Sequence, residues 1–239
     1  MQRFPILTYH QIAEAPAKGA PYRSLYVAPA AFARQMRVLS LLGYQGLSMS
    51  ALLPYLRGEK RGRVVGITFD DGYTNNLVNA LPVLQRLGFS STCYAVSGLV
   101  GQTNTWDLAV GIAQTGLMAA DDMRAWVAGG QEMGAHTRSH AHLDRLSAAD
   151  SLLEIQGSKA DLEAMLGVAV SHFCYPYGDY GPEQVSQVQA AGYDTATTTA
   201  RGRACAASKL FELPRVPVLR STTLPVFLLK LLSSYEDRK

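Results

Sequence analysis

The stretch Val64-Val65-Gly66-Ile67-Thr68-Phe69-Asp70-Asp71-Gly72-Tyr73 constrains this chain more than any other. Its apolar run, Val64 to Phe69, reads as a buried β-strand. The strand ends in two adjacent carboxylates and a glycine. Like charges side by side each disfavour the other's ionisation unless something positive separates their roles. A bound metal does this: one Asp ligates it, and the other stays free to move protons. The doublet also fits a polar turn before a helix, where Asp caps well. Taken alone, it leaves both readings open.

The rest of the chain supplies a frame for that strand. Ile6 to Tyr9 reads as the first strand, with His10 at its C-terminal end. Residues 11–28 are rich in Pro, Ala and Gly and read as a loop. Pro29 opens a helix with Phe32, Met36 and Leu39 on one face and Gly43 as its stop, and a short helix follows near Ser50 to Arg57. Beyond the doublet, Leu77, Leu81, Leu84 and Leu87 mark a helix closed by Gly88. Next come a strand over Ser91 to Val96, a helix over Asp121 to Ala128 and a short strand over Glu132 to His136. Ser147 with Asp150 makes a capping-box-like start to a helix running to Gly167. His172 to Tyr175 is a strand, Pro182 to Ala191 a helix, and Thr195 to Thr198 and Leu213 to Val218 are the last strands. Helix, glycine, apolar residue, strand recurs at Gly43-Tyr44, Gly88-Phe89, Gly167-Val168 and Gly192-Tyr193. This βα rhythm predicts a parallel sheet with helices outside. The strand count and the 239-residue length favour one domain, residues 1–239, built as an α/β barrel rather than an open sheet. In such a barrel the chemistry sits at the C-terminal ends of strands, where Asp70, Asp71, His10, His136 and Tyr177 all fall.

Composition removes several function classes. The net charge is +3 with no basic run, which argues against a nucleic-acid partner. Cys93, Cys174 and Cys205 are odd in number, widely spaced and without a CxxC pair, so no disulfide framework is expected. Met1 to Ile6 lacks the apolar core of a signal peptide, and the expected location is cytoplasmic, with a leader already removed and a periplasmic or extracellular location as the alternative. No apolar stretch has the length of a membrane span. Leu224 to Leu232, apolar with the single Lys230, reads as a core-facing helix rather than a membrane-surface contact.

A second signal is Gly134-Ala135-His136-Thr137-Arg138-Ser139-His140. Histidines four apart share one face of a helical turn, so both imidazoles can reach one ion. With Asp71 they offer two nitrogens and one oxygen. Three protein ligands leave positions for water and substrate, the pattern of catalytic rather than structural sites. His142 reads as a loop residue and His172 as a strand residue; the i, i+4 spacing favours His140 over His142 as a ligand.

Three segments, in this order, carry a family resemblance: Thr68-Phe69-Asp70-Asp71-Gly72, His136-Thr137-Arg138-Ser139-His140, and Phe173-Cys174-Tyr175-Pro176-Tyr177-Gly178. The chain resembles the polysaccharide deacetylases with the NodB homology domain, carbohydrate esterase family four, from its first strand to Leu213-Pro214-Arg215-Val216. The resemblance implies a distorted (β/α) barrel and metal-dependent removal of N-acetyl groups from amino sugars. It implies that Asp71, His136 and His140 hold the metal, most often zinc. It further implies that Asp70 is the general base and that the backbone N–H of Tyr177 stabilises the oxyanion, as an oxyanion hole should. The partner is then an N-acetylated sugar or glycan.

The chain also departs from the family. Its late Leu-x-His motif, source of the general acid, does not occur after Tyr177. Leu7-Thr8-Tyr9-His10 resembles instead the permuted poly-N-acetylglucosamine deacetylases, which carry that histidine on the first strand, and this makes His10 the expected acid. Cys174 stands where the family commonly has an arginine touching the base Asp. Arg215 can substitute if the last strand closes beside the first; otherwise it is a surface residue at a strand end. Asp194 finds no place in the scheme. Trp106 is expected to stack on a sugar face or to cover the barrel mouth, with Tyr73 and Tyr180 as further substrate-binding candidates. Two other functions remain open: hydrolysis of a small non-sugar amide, and glycan binding without turnover.

Overall fold

The computed structural model describes residues 2–238; Met1, which opens the stretch read for a leader, and Lys239 lie outside them. Seven parallel strands close into a barrel. In order around it they are Ile6–Tyr9, Leu213–Pro217, Thr195–Arg201, His172–Cys174, Glu132–Ala135, Thr92–Ala95 and Val64–Phe69, which pairs back onto Ile6–Tyr9. At the closure Ile6 pairs with Gly66 and Tyr9 with Phe69, while Leu7 lies opposite Val216. A further short strand, Gln45–Leu47, pairs with the first half of Val64–Phe69, and Thr92–Ala95 takes the second half. Because every ladder of the barrel is parallel, all the C-terminal strand ends meet at one rim.

Side chains alternate across each strand, and the core divides accordingly. Leu7, Tyr9, Val65, Ile67, Phe69, Cys93, Met133, Phe173 and Val216 pack outward against the helices. The helices Pro29–Leu41, Ala120–Ala128, Ala148–Leu166 and Leu224–Leu232 answer with Phe32, Met36, Trp126, Ile155, Leu162, Phe227 and Leu231. Ile6, Val64, Tyr94, Cys174 and Leu213 have the opposite parity and fill the interior. There the helix Met49–Leu56 plugs the floor with Met49, Leu52 and Leu56. Asp70, His136 and Arg215 share this inward parity, which is why they meet inside the rim. The C-terminal helix faces the core as expected, and no helix among the described residues is long and apolar enough to cross a membrane.

Several boundaries differ from expectation for local reasons. The helix after the doublet is two helices, Thr74–Asn79 and Leu81–Leu87. Pro82 has no N–H to bond back to the preceding turn, and its ring crowds the carbonyl there. Ser147 caps its helix as read, its Oγ accepting from the Asp150 N–H at 3.1 Å. The loop over residues 11–28 contains a two-residue pairing of Gln11–Ile12 with Tyr26–Val27. Thr195–Arg201 runs beyond Thr198, and its register against the last strand slips between Thr197↔Leu213 and Arg201↔Arg215. The slip is a bulge that frees the Thr198 carbonyl to accept from Arg215 Nε at 2.9 Å.

Packing is close at Gly134, in the strand beneath His136, where an added Cβ would stand 2.4 Å from the Tyr94 ring and 2.9 Å from the His172 carbonyl. Gly134→Ala is therefore expected to destabilise the protein by about 1–3 kcal/mol through overpacking. A lowered urea midpoint measures this; an unchanged midpoint would mean that the strand can shift freely beneath His136.

Candidate active site

The doublet strand delivers both carboxylates to the rim but in different directions. Asp70 keeps the inward parity. Asp71 turns away because its φ is +74°, a conformation that non-glycine residues rarely adopt. Both are buried.

Asp70 is held by Arg215. Nη1 donates to Oδ1 at 2.7 Å and Nη2 to Oδ2 at 2.8 Å, a bidentate charge-assisted pair. Arg215 also donates to Thr68 Oγ1 at 3.2 Å and to Cys174 Sγ at 3.2 Å. The arginine that position 174 lacks thus reaches the same carboxylate from the last strand, and the small Cys174 leaves room for it. Burial pushes the Asp70 carboxyl up, but the Arg215 guanidinium outweighs burial and holds it below the usual carboxylate range. On the other side, His10 Nε2 stands 3.9 Å from Asp70 Oδ2.

Asp71 faces the two histidines. Its Oδ1 lies 3.5 Å from His136 Nε2 and 3.4 Å from His140 Nε2. These separations are long for hydrogen bonds. They match the roughly 3.4 Å expected between tetrahedral ligands whose bonds to one ion are about 2.1 Å. His136 Nδ1 donates to the Cys174 carbonyl at 2.7 Å, which fixes the tautomer and leaves Nε2 as a donor to a metal. His140 Nδ1 is buried without a hydrogen-bond partner among the described residues. Burial pushes Asp71 up, yet the adjacent His136 and His140 imidazoles bring it well below the usual range. Burial pushes His140 down, which favours the neutral, ligating form. Burial also disfavours charge on His136, but Cys174, Asp71 and Asp70 around it raise it well above its ordinary value. The carboxylates make the surroundings of His136 electronegative, a field that a bound cation would balance. The residues fit a divalent metal.

The two imidazoles do converge, but not on a helical turn. Thr137 and His140 have φ of +64° and +61°, so the segment is a loop that folds back on itself. Its Thr137 Oγ1 accepts from the His140 N–H at 2.9 Å. The non-glycine residues with positive φ among those described are Tyr22, Asp71, Thr137, His140 and Tyr177. Four of them line one cavity and Thr137 adjoins it. Strain of this kind, of order 1 kcal/mol or more per residue, clusters at functional sites.

That cavity has a volume of about 260 Å³, and His10, Asp70, Asp71, His136, His140 and Tyr177 lie on its wall. Trp106 is also there, its ring stacked on His140 with centroids 4.5 Å apart and planes at 17°, so one of its faces is already covered. Two sequence candidates lie elsewhere. Tyr73 is buried with its hydroxyl bonded to Asp71, and Tyr180 stacks on Tyr175 at 4.5 Å; neither is on the cavity wall. Asp194 is exposed at the other end of the barrel beside Arg57, 3.9 Å away. His172 is buried at the barrel floor, bonded to Ser50 and Thr195. Sequence reading missed Tyr22, Asp107 and Thr199 on the wall. It also missed the asparagines that hold the His10 segment. Asn76, fully buried, donates to the His10 carbonyl at 2.8 Å and accepts from the Ile12 N–H at 3.2 Å, and Asn79 donates to the Ile12 carbonyl at 2.8 Å. The run Thr74-Asn75-Asn76 with Asn79 was the available signal, polar where a helix under a rim should be apolar.

Known proteins resemble this chain in sequence and in fold. The sequence model of the polysaccharide deacetylase family matches residues 57–196, more than half of the chain. YxkH of Bacillus subtilis (strain 168), named for the same family, is 28% identical over 218 residues, covering 90% of this chain and 71% of the relative. Among solved structures, the deacetylase PplD of Streptococcus pyogenes, in complex with acetate, superposes with a TM-score of 0.84 at 25% identity. That match covers 96% of this chain and 98% of PplD. BC0361, a polysaccharide deacetylase from Bacillus cereus, gives 0.80 at 28% identity, covering 96% of this chain and 69% of its own.

The Arg215–Asp70 pair has a definite pH signature. Asp70 is depressed in the folded state relative to about 3.9 when unfolded. Its contribution to stability is present above about pH 4 and lost as pH falls through the folded value. In Arg215→Met the carboxylate is buried alone, and burial then raises it. The variant should lose about 3–5 kcal/mol at pH 7 and clearly less near pH 4, where the lone carboxyl protonates. Urea denaturation at both pH values tests this, and an equal loss at both would remove the pairing argument.

Proposed function

The chain belongs to the polysaccharide deacetylase family, and from that premise we propose that it is a metal-dependent N-deacetylase of amino sugars in a glycan or glycan precursor. One observation carries the reading. Asp71 Oδ1 sits 3.5 Å from His136 Nε2 and 3.4 Å from His140 Nε2 in a ligand-like cluster, beside a carboxylate that Arg215 keeps ionised. Asp71, His136 and His140 would hold the ion. When bound, a divalent metal, zinc by its donor set, supplies Lewis acidity and lets a water deprotonate near neutral pH.

The chain's own groups do the rest. Asp70, ionised and on the cavity wall, accepts the proton of the attacking water. The acetamide carbon becomes tetrahedral, and its oxygen takes on negative charge. The Tyr177 N–H donates to that oxygen. The amine must leave as a neutral group, and His10 on the same wall gives its nitrogen the proton. Arg215 keeps Asp70 ionised before the reaction and therefore free to take the water proton, while His10 serves as the separate acid. Trp106, beside His140, presents its remaining face to the substrate. A small non-sugar amide would meet the same chemistry, and a substrate panel separates the two classes.

Zinc-reloaded protein is expected to release acetate from N-acetylglucosamine oligomers, and chelator-stripped protein is not. Asp70→Asn should lower turnover about 10²- to 10⁴-fold with zinc still bound. Stoichiometric zinc without acetate release from any amino sugar would redirect the reading to small amides; absence of zinc binding would remove it.

His10→Ala should cause a comparable loss with zinc content unchanged, and full turnover in that variant would exclude His10 as the acid. Arg215→Met raises the Asp70 carboxyl, so the acidic limb of the pH–rate profile should move to higher pH. An unmoved limb would detach Arg215 from the base.

A further inference from the structure

His142 and Asp179 lie outside the set that performs the proposed reaction, yet both converge on Tyr177. The His142 ring lies flat on the Tyr177 ring, with centroids 3.8 Å apart and planes at 8°. His142 Nδ1 donates to Asp179 Oδ2 at 2.5 Å, which sets the ring's orientation. Asp179 follows Tyr177 by two residues, and its own N–H bonds the Pro176 carbonyl at 3.0 Å. His142 follows His140 by two residues, and His140 meets the same tyrosine ring edge-on at 4.5 Å. The loop of the metal-ligand candidates is thus fastened to the turn of the oxyanion-donor candidate through one tyrosine ring.

That turn needs fastening. Tyr177 has φ of +59°, which for a residue with a Cβ costs about 1–2 kcal/mol. Its carbonyl accepts from Thr199 Oγ1 at 3.3 Å, a long bond. Gly178, at φ +78°, lets Thr199 approach, since a Cβ there would fall 1.9 Å from Thr199 Oγ1. The ring and the N–H of Tyr177 hang from the same Cα. A ring held flat on His142 therefore limits rotation about φ, and with it the direction of the N–H. Were Tyr177 to relax to negative φ, the ring would have to leave His142 or the N–H would have to turn.

We propose that His142 and Asp179 are positioning residues that hold Tyr177 in its left-handed conformation, so that its N–H is fixed toward the developing oxyanion. This rests on the deacetylase reading for its effect on rate, but the conformational claim stands apart from it. His142 acts by its flat ring, Asp179 by orienting that ring. Neither touches substrate.

The test uses the full chain reloaded with zinc. In His142→Ala, kcat on N-acetylglucosamine oligomers should fall about 10- to 100-fold, approaching the loss of an oxyanion donor, with KM changed less than about twofold and zinc content unchanged. His142→Phe keeps a ring and should retain kcat within about threefold, with Asp179→Asn falling between. A crystal structure of zinc-loaded His142→Ala should show Tyr177 outside the left-handed region. The proposal is overturned if Tyr177 keeps its positive φ in that structure, which would leave Gly178 and Thr199 to set the turn alone. It is equally overturned if His142→Ala raises KM at constant kcat, which would make His142 a substrate contact. If the wild-type protein binds zinc but releases no acetate, the deacetylase reading fails, and the Tyr177 conformation in the variant still decides whether the clamp exists.

Discussion

The bidentate bond between Arg215 and Asp70 ties the last strand of the barrel to the doublet strand across the closed interior. Both side chains are buried, where a lone carboxylate would neutralise itself and lose its use as a base. The pair depends on barrel closure: Val216 and Pro217 run beside Leu7 and Thr8, and that strand in turn runs beside the doublet strand. It depends on the bulge that frees the Thr198 carbonyl for Arg215 Nε. It depends on Cys174 as well, which is small and accepts from Nη2. Remove the guanidinium and the interior holds an uncompensated charge; remove the bulge and the guanidinium loses one of its anchors.

Around this pair the chain departs from regular backbone where chemistry requires it. Asp71 leaves the strand's alternation through a positive φ, so that two adjacent carboxylates point to different partners. One faces arginine and the other faces imidazoles, and both lie below the ordinary carboxylate range. The repulsion within the doublet is relieved by aiming one carboxylate at a guanidinium and the other at the imidazole pair. Thr137, His140 and Tyr177 spend similar strain in the loops beside it. The packed helices and the closed sheet beneath can sustain that cost, because buried apolar area stabilises the scaffold independently of the rim.

Much of the fold was legible because the βα grammar is local. Glycine stops, capping serines and the two hydrophobic periods placed most elements within a few residues. Pro82 split a helix that the leucine spacing had joined, since apolar spacing does not register a missing N–H. The site was legible as residue types: Asp70, Asp71, His10, His136, His140 and Tyr177 were all named and all line one cavity. The reasoning for one pair was incorrect. Histidines four apart suggested a helical turn, whereas two left-handed residues bring them together. Tyr73 and Tyr180 were named as substrate-binding candidates, but Tyr73 is buried and Tyr180 stacks on Tyr175, both away from the cavity wall.

What the sequence determined by itself was the order of elements, the parallel architecture and the inventory of donors, because hydrophobic period, turn residues and short motifs act over a few residues. What only the tertiary structure decided was which distant groups meet. Arg215 reaches Asp70 from 145 positions away. Asn76 holds the His10 segment from 66 positions away, and His142 covers a tyrosine presented by another strand. Such meetings follow from the closure and register of the barrel, a global property to which every strand contributes and which no short window of residues contains.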